Sequence, residues 1–510
     1  MNAGAFSAAF FAREMYFCQP FCYSYWCALP TQGAMFLKGI FPLMKISKNL
    51  RRYMLGDKAF YKMLMAIAVP VILQNGLTNL VSLLDNIMVG AVGTEQMTGV
   101  SIVNQLLFVF NLCIFGGLGG AGIFTAQFYG KKDHEGVRST FRFKMMLVLV
   151  LFVLAMAVFT TAGGRLIELY LHEGGETGDI AATAQYGADY LRMMLWGLLP
   201  FAIMQVYAST LRETGETLLP MKAGIVAILV NLVFNYILIF GRFGAPAMGV
   251  EGAALATVLS RWVECFIVVR WTHVHADEKP FILGAYRSMR VPKALTKDIF
   301  RRGMPLLVNE ALWSAGMAML TQSFSTRGLA VVAGINISST ISNLFNIVWL
   351  AMGTAVSIIV GQHLGANEFE KAKESCWRIL TFGVAGAIVM GAIMYAFAPL
   401  FPLLYNTTDE VRQIAAGIIR IAALAAPMHA FTHSSYFTLR SGGKTWITFL
   451  FDSAYLWVIS IPLTRLLAVG TAWPVLLVYF ITQFIDLIKV ALGAYLIHKG
   501  VWINNIVDQK

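Results

Sequence analysis

From Met63 to Gly90 the chain reads MLMAIAVPVILQNGLTNLVSLLDNIMVG, an apolar run whose polar members Asn75, Thr78, Asn79, Ser82, Asp85 and Asn86 recur every three or four positions. That period places them on one face of an α-helix. About 20 residues at a rise of ~1.5 Å cover ~30 Å of hydrocarbon, so the run is long enough to cross a bilayer. A polar face that ends in a carboxylate does not face lipid; an ionisable group inside a span points to a wet cavity or a partner helix, and to function. Pro70, fifteen residues before Asp85, removes a backbone donor and predicts a bend toward the inner side. Comparable apolar stretches begin near residues 62, 97, 138, 181, 217, 248, 297, 330, 371, 411, 445 and 473, separated by short polar or Gly/Pro-containing links. The pattern predicts twelve transmembrane helices. It lacks the ten-residue alternation of a β-barrel, so the expected fold class is an all-α integral membrane protein.

Composition agrees. The chain is 58% hydrophobic and 13% charged, with a mean hydropathy of +0.67, outside the range of soluble globular proteins. A net charge of +12 raises the question of nucleic acid. The basic residues, however, flank hydrophobic spans without aromatic platforms between them, which excludes that partner. Arg270, Lys279, Arg287, Arg290, Lys293, Lys297, Arg301 and Arg302 crowd the link between spans six and seven, and Lys131, Lys132, Arg138, Arg142 and Lys144 the link after span two. The link after span three carries Glu168, Glu173, Glu176 and Asp179 against Arg165 alone. The positive-inside rule then places the basic links and both termini in the cytoplasm. Residues 1–45 are aromatic and broken by Pro20, Pro30 and Pro42, and make neither a span nor a signal peptide. They read as an extension or a misassigned start, with Met44 and Met54 as alternative starts. Cys18, Cys22 and Cys27 there have no zinc-ribbon spacing and no nearby histidine.

The chain also repeats itself. A shift of 235 residues places Pro70 on Pro305, Gly93 on Gly328, Phe110 on Phe345, Asn111 on Asn346, Gln127 on Gln362 and Gly130 on Gly365. At a shift of 228, LRETGET (Leu211–Thr217) falls on LRSGGKT (Leu439–Thr445). Two six-helix lobes follow, residues 46–271 and 297–500, joined by a basic cytoplasmic linker over 272–296 and ending in a tail over 501–510. Six being even, the repeats are parallel and related by a pseudo-two-fold axis along the membrane normal. Polar stripes recur in the second span of each lobe: Ser101, Asn104, Gln105 and Asn111 in one, Asn336, Ser339, Thr340, Asn343 and Asn346 in the other. As whole stripes flanking Asp85 they read as cavity lining, against the alternative of interhelical hydrogen bonds.

The glycine-rich run Gly116–Gly122 lacks the Gly-Lys-Ser/Thr of a phosphate loop and reads as close helix packing. His429 and His433, at i and i+4, have ligand spacing but no metalloprotease glutamate between them, and read as cavity-facing polar residues. Glu310, five residues beyond Pro305, lies ~18 Å into its helix, near mid-membrane. Asn231 and Asn235, one turn apart, and Ala253 and Thr257, likewise, could join Asp85 in offering carbonyl, hydroxyl and carboxylate oxygens to a hard cation, or could be interhelical glue.

Over residues 58 to 500 these features resemble the multidrug and toxic compound extrusion (MATE) family in its bacterial branch. The likeness rests on twelve spans in two lobes, Pro70 and Asp85 followed by N-x-M-V-G, NLVFNYILIFG in span five, GAALAT in span six and the glutamate of MPLLVNEALWS in span seven. The resemblance implies a V-shaped antiporter that exports lipophilic, cationic compounds in exchange for H⁺ or Na⁺, with no other cofactor. By the same carry-over Asp85, Asn231, Asn235, Ala253 and Thr257 form an N-lobe cation site, Pro70 is the hinge, and Glu310 is the C-lobe acid. Asn75, Asn79, Ser82, Asn104, Asn343, His429 and His433 complete the expected substrate cavity. Asn235 stands where many members have Asp, and span ten offers His429 and His433 in place of a second acid. With Asp85 as the lone carboxylate of its cluster, H⁺ is favoured over Na⁺. Other expectations are small lipophilic or cationic substrates, the bilayer as surroundings, a monomer, and no enzymatic activity. A flippase for lipid-linked precursors is the alternative, disfavoured because these stripes are neutral to acidic where a pyrophosphate would want a basic cavity.

Overall fold

A backbone in lipid must satisfy its own hydrogen bonds, and this one does so along helices: among the described residues there is no strand. The computed structural model describes residues 53–171 and 179–508, apart from the side chains of Ser82, Leu83, Asn86 and Ile87. The extension over residues 1–45, with its cysteines, lies outside the described residues. The N-lobe comprises α1 (Lys58–Gly90), α2 (Thr94–Gly130), α3 (His134–Glu168), α4 (Ile180–Glu213), α5 (Leu218–Phe240) and α6 (Gly249–Val274). The C-lobe comprises α7 (Lys293–Ser325), α8 (Leu329–Gly365), α9 (Phe369–Phe397), α10 (Asp409–Ser441), α11 (Thr445–Gly470) and α12 (Val475–His498). Eleven of these are long and apolar enough to cross a membrane. The one that falls short of that measure is α7, which opens on KALTKDIFRR and carries Asn309 and Glu310 in mid-helix; its 33 residues still supply the length. Helix α1 continues through Pro70 as one helix.

Local chemistry sets the ends. Asp133 accepts a hydrogen bond from the Gly136 N–H at 2.8 Å and caps α3, and Asp179 accepts from the Ala182 N–H at 3.0 Å and caps α4. The duplication is visible in the backbone as well. The turns after α2 and α8 each place a non-glycine residue in the left-handed region, Lys132 at φ 63° and Asn367 at φ 60°, and these two are 235 residues apart.

Within the lobes α5 packs on α6 and α1, and α2 on α3 and α4; α10 packs on α8, α9 and α12, and α7 on α11. The lobes meet through α2 and α8, α2 and α7, and α1 and α8, a pattern that the pseudo-two-fold maps onto itself. The apolar windows of α2 and α8 are 56% and 61% buried, whereas those of α3 and α12 are 11% and 6% buried, which puts the first pair at the centre and the second on the outside. Three close approaches seal the interface. A Cβ at Gly120 would stand 2.5 Å from Gly303 Cα, one at Gly130 1.9 Å from the Gln362 carbonyl oxygen, and one at Gly365 1.9 Å from the Gln127 carbonyl oxygen. The last two are exchanged by the pseudo-two-fold.

At the same end Gln127, fully buried, donates from Nε2 to the Ser441 carbonyl at 2.9 Å and the Asn504 carbonyl at 3.2 Å, and accepts the Ile506 N–H at 2.8 Å. Its repeat partner Gln362 donates to the Glu213 carbonyl at 2.9 Å. The segment after α12 is docked here: Asp508 pairs with Lys131 and accepts from Asn367 at 2.8 Å, so it touches both lobes. The basic connection between lobes is docked too. Arg138 donates to the Pro280 and Phe281 carbonyls at 3.1 and 3.3 Å, and Arg142 to the Gly284 and Ala285 carbonyls at 2.9 Å. Phe281, Ile282 and Ala285 are buried beneath.

Candidate functional site

The residues singled out in α1, α5 and α6 converge. Asp85 Oδ1 accepts from Asn235 Nδ2 at 2.5 Å, Asn235 Nδ2 also donates to Asn231 Oδ1 at 3.1 Å, and Asn231 Nδ2 donates to the Thr257 hydroxyl at 3.2 Å. Thr257 in turn donates to the Ala253 carbonyl at 3.0 Å. Helical spacing of four aligns each pair within α5 and α6, and the packing of α5 against α1 brings Asp85 to them. Asn231 and Asn235 are buried, and Asn235 Oδ1 has no hydrogen-bond partner, a costly state for a buried amide oxygen. Among the described residues no three His, Cys, Asp or Glu side chains cluster as a metal site would require, so the oxygens here are one carboxylate with neutral amide, hydroxyl and carbonyl groups.

Of the expected cavity residues, Asn79, Asn104 and Asn343 are exposed and Asn75 half-buried; the Ser82 side chain lies outside the described set. Tyr190 donates to Asn104 Oδ1 at 3.4 Å. Ser101 and Gln105 on α2, and Asn336, Ser339, Thr340 and Asn346 on α8, are exposed as well. These exposed polar faces belong to α2 and α8, the two helices through which the lobes meet.

In the C-lobe, Glu310 accepts from the Tyr436 hydroxyl at 3.5 Å and lies across the interface from Gly116, whose added Cβ would stand 3.7 Å from Glu310 Cγ. The charge of Arg440 on α10 acts on it, a cation that sequence separation concealed. His429 bonds Gln483 at 3.1 Å through Nε2, and His433 is exposed. Sequence reasoning looked for a second C-lobe acid in span ten and passed over Asp452 in span eleven. Its Oδ2 accepts from Asn309 Nδ2 at 3.1 Å and its Oδ1 from Lys489 Nζ at 2.8 Å. Arg261 and Glu264 on α6, which interact electrostatically with one another, were also missed. Opposite charges three residues apart within an apolar span were a readable signal for them.

Two lobes of six helices, a mid-span polar network in each and an exposed polar face on the central helices are the features of a two-lobed membrane transporter. The profile of the MatE family matches residues 70–237 and 305–466, and the chain belongs to that family, whose members are transporters and not enzymes. It is 26% identical over 402 residues to the probable multidrug resistance protein NorM of Thermotoga maritima, a span that covers 79% of this chain and 84% of that protein. It is also 26% identical over 400 residues to the multidrug resistance protein MdtK of Yersinia pseudotuberculosis, covering 78% and 86%. Among solved structures, a multidrug resistance MATE family transporter in its outward-facing conformation superposes with a TM-score of 0.77 at 20% identity, over 89% of this chain and 98% of the other. A MATE in its straight conformation gives the same TM-score and identity over 89% and 99%.

Proposed function

We propose that this transporter is a secondary antiporter that expels lipophilic cations in exchange for H⁺ or Na⁺, the ion being taken by the Asp85 network. The observation that carries the reading is the buried chain from Asp85 through Asn235 and Asn231 to Thr257, with Asn235 Oδ1 left without a donor. A proton on Asp85 turns that carboxylate into a donor beside an orphaned acceptor, and a Na⁺ ion would accept both oxygens as ligands. Either ion neutralises a half-buried charge and changes how α1 packs on α5. Antiport needs that difference, since ion and drug must favour different arrangements of one cavity. The single carboxylate favours H⁺. Relatives named for multidrug resistance support a drug-like substrate, and Glu310 at the interface supplies the negative charge that selects cations. In the membrane the basic, sealed end faces the cytoplasm.

The test is ethidium efflux from everted vesicles with imposed gradients, for the native chain and Asp85→Asn. A proton gradient should drive efflux in the native protein and fail in the variant, while ethidium binding survives. Efflux driven by Na⁺ with the proton gradient collapsed, and kept in Asp85→Asn, would remove both the ion and the residue assignment.

A further inference from the structure

Helix α11 departs from α geometry at two consecutive π turns, Leu450–Ala454 and Leu456–Ser460. Such wide turns shift side chains out of the α register and recur at functional sites. The first of them carries both Phe451 and Asp452. Around Asp452 the C-lobe assembles an enclosure for a positive charge. The Lys489 ammonium stands 2.8 Å from Asp452 Oδ1, 5.5 Å from the Phe451 ring centroid and 5.7 Å from the Tyr455 ring centroid. A carboxylate with two aromatic faces within about 6 Å is the environment that proteins use for ammonium ligands. Asn309 fixes the other carboxylate oxygen at 3.1 Å, and the Ser453 N–H and hydroxyl hold Asn309 in place at 3.2 and 2.8 Å.

The internal repeat shows that the arrangement around Asp452 is particular to the C-lobe. Asn309 corresponds to Gln74 at the 235-residue shift and Asp452 to Gly224 at the 228-residue shift. In the N-lobe a Cβ at Gly224 would stand 3.3 Å from Gln74 Nε2 and 3.5 Å from Glu264 Oε1. A carboxylate thus occupies the same neighbourhood in both lobes but arrives from α6 in one and from α11 in the other. In the C-lobe alone it is met by a lysine inside an aromatic enclosure. Side-chain exposures of 13% for Lys489 and 19% for Asp452 leave the pair partly accessible, so a diffusible cation could reach the same place.

We propose that Asp452, Phe451 and Tyr455 form an ammonium-binding site and that Lys489 is its tethered occupant. The C-lobe is therefore closed to a free coupling cation in this arrangement. This deepens the antiporter reading and takes from it only the wet cavity; the site is tested by binding, without transport. The purified protein is compared with Lys489→Ala, Lys489→Met and Lys489→Met/Asp452→Asn by thermal unfolding, with methylammonium chloride against NaCl at equal ionic strength. At about 100 mM, a hundredfold above a millimolar Kd, methylammonium should restore about half of the Tm lost in the two single variants. It should leave the native protein and the double variant unchanged. Should Lys489→Ala not fold, Lys489→Met keeps the stem and carries the test. Absence of rescue in folded Lys489→Met, equal rescue by NaCl, or equal shifts in the native chain would each overturn the proposal. Rescue that persists in Asp85→Asn/Lys489→Met while gradient-driven efflux fails to respond to Asp85 in the otherwise native chain separates the two readings.

Discussion

Replacing Gln127 with alanine removes one side chain that holds three segments together at the sealed end. The lost contacts are donations to the Ser441 and Asn504 carbonyls and acceptance of the Ile506 N–H, all made by a fully buried amide. Each hydrogen bond is worth ~1 kcal/mol net, and a buried group left unpartnered costs ~1–3 kcal/mol, so Gln127→Ala should weaken closure at this end by about 2–4 kcal/mol. That shifts the balance between sealed and open lobes by roughly 30- to 1,000-fold. Gln362→Ala, its repeat partner, loses one bond of this kind, to the Glu213 carbonyl, and should shift the balance by about tenfold. Spin labels at the exposed residues His134 and Glu370, one on each lobe at the sealed end, report the separation by double electron–electron resonance. The long-distance population should grow more in Gln127→Ala than in Gln362→Ala. Equal growth in both, or an unchanged distance distribution with a lowered Tm in each, would refute the reasoning, because the extra bonds to the C-terminal segment would then carry no weight in closure.

Gly365→Ala should open the same end outright, since the new methyl meets the Gln127 carbonyl at 1.9 Å. Gly386→Ala, where nothing lies within 4 Å, should be neutral or slightly stabilising by Tm. Lys144 is fully buried, with its ammonium 2.5 Å from Glu213 and 3.3 Å from both the Ser209 and Thr210 hydroxyls. Lys144→Ala leaves that carboxylate without its partner and should cost ~3–5 kcal/mol, whereas Lys144→Met with Glu213→Gln should cost clearly less when their Tm values are compared. Lys131, and then Asn367, hold the Asp508 carboxyl below its ordinary range. A depressed folded-state value means that the contribution is complete above the unfolded pKa and is lost only as pH falls through the lower one. Carboxypeptidase resistance of the C-terminal segment should therefore be the same at pH 8 and pH 5, and a loss at pH 5 would contradict this.

Which parts of this protein could be read from the chain depends on how far apart the interacting residues lie. The helices were legible from short-range periods, with Asn231 and Asn235, and Ala253 and Thr257, sharing helix faces; the duplication was legible from residue-for-residue matches such as Pro70 with Pro305 at a shift of 235, and the meeting of Asp85 with Asn235, 150 positions away, only through the resemblance to the family. The central polar faces followed from the same periodicity. Asp452 and Lys489 were not legible as a pair. They sit on different helices, 37 positions apart, and nothing along either helix says that the two faces meet. Arg440 escaped for the same reason, 130 residues beyond Glu310. The span count was legible as well: the stretch beginning near residue 297 was read as a span, and it forms the 33-residue α7 although Asn309 and Glu310 make it the most polar of the twelve.

The paired contacts at the sealed end have one more implication. Gln127 reaches from the first half to the last helical residue of α10, and Gln362 reaches from the second half to the last helical residue of α4; Gly130 and Gly365 exchange close approaches in the same way. An i-to-j contact matched by its j-to-i counterpart is what two identical subunits make when they pair about a two-fold axis. In a single chain no such reciprocity is required. Its presence at these four positions gives the seal the form of an isologous interface built within one chain. The docked segment of residues 501–508 makes this junction unequal, since Gln127 bonds Asn504 and Ile506 as well as Ser441.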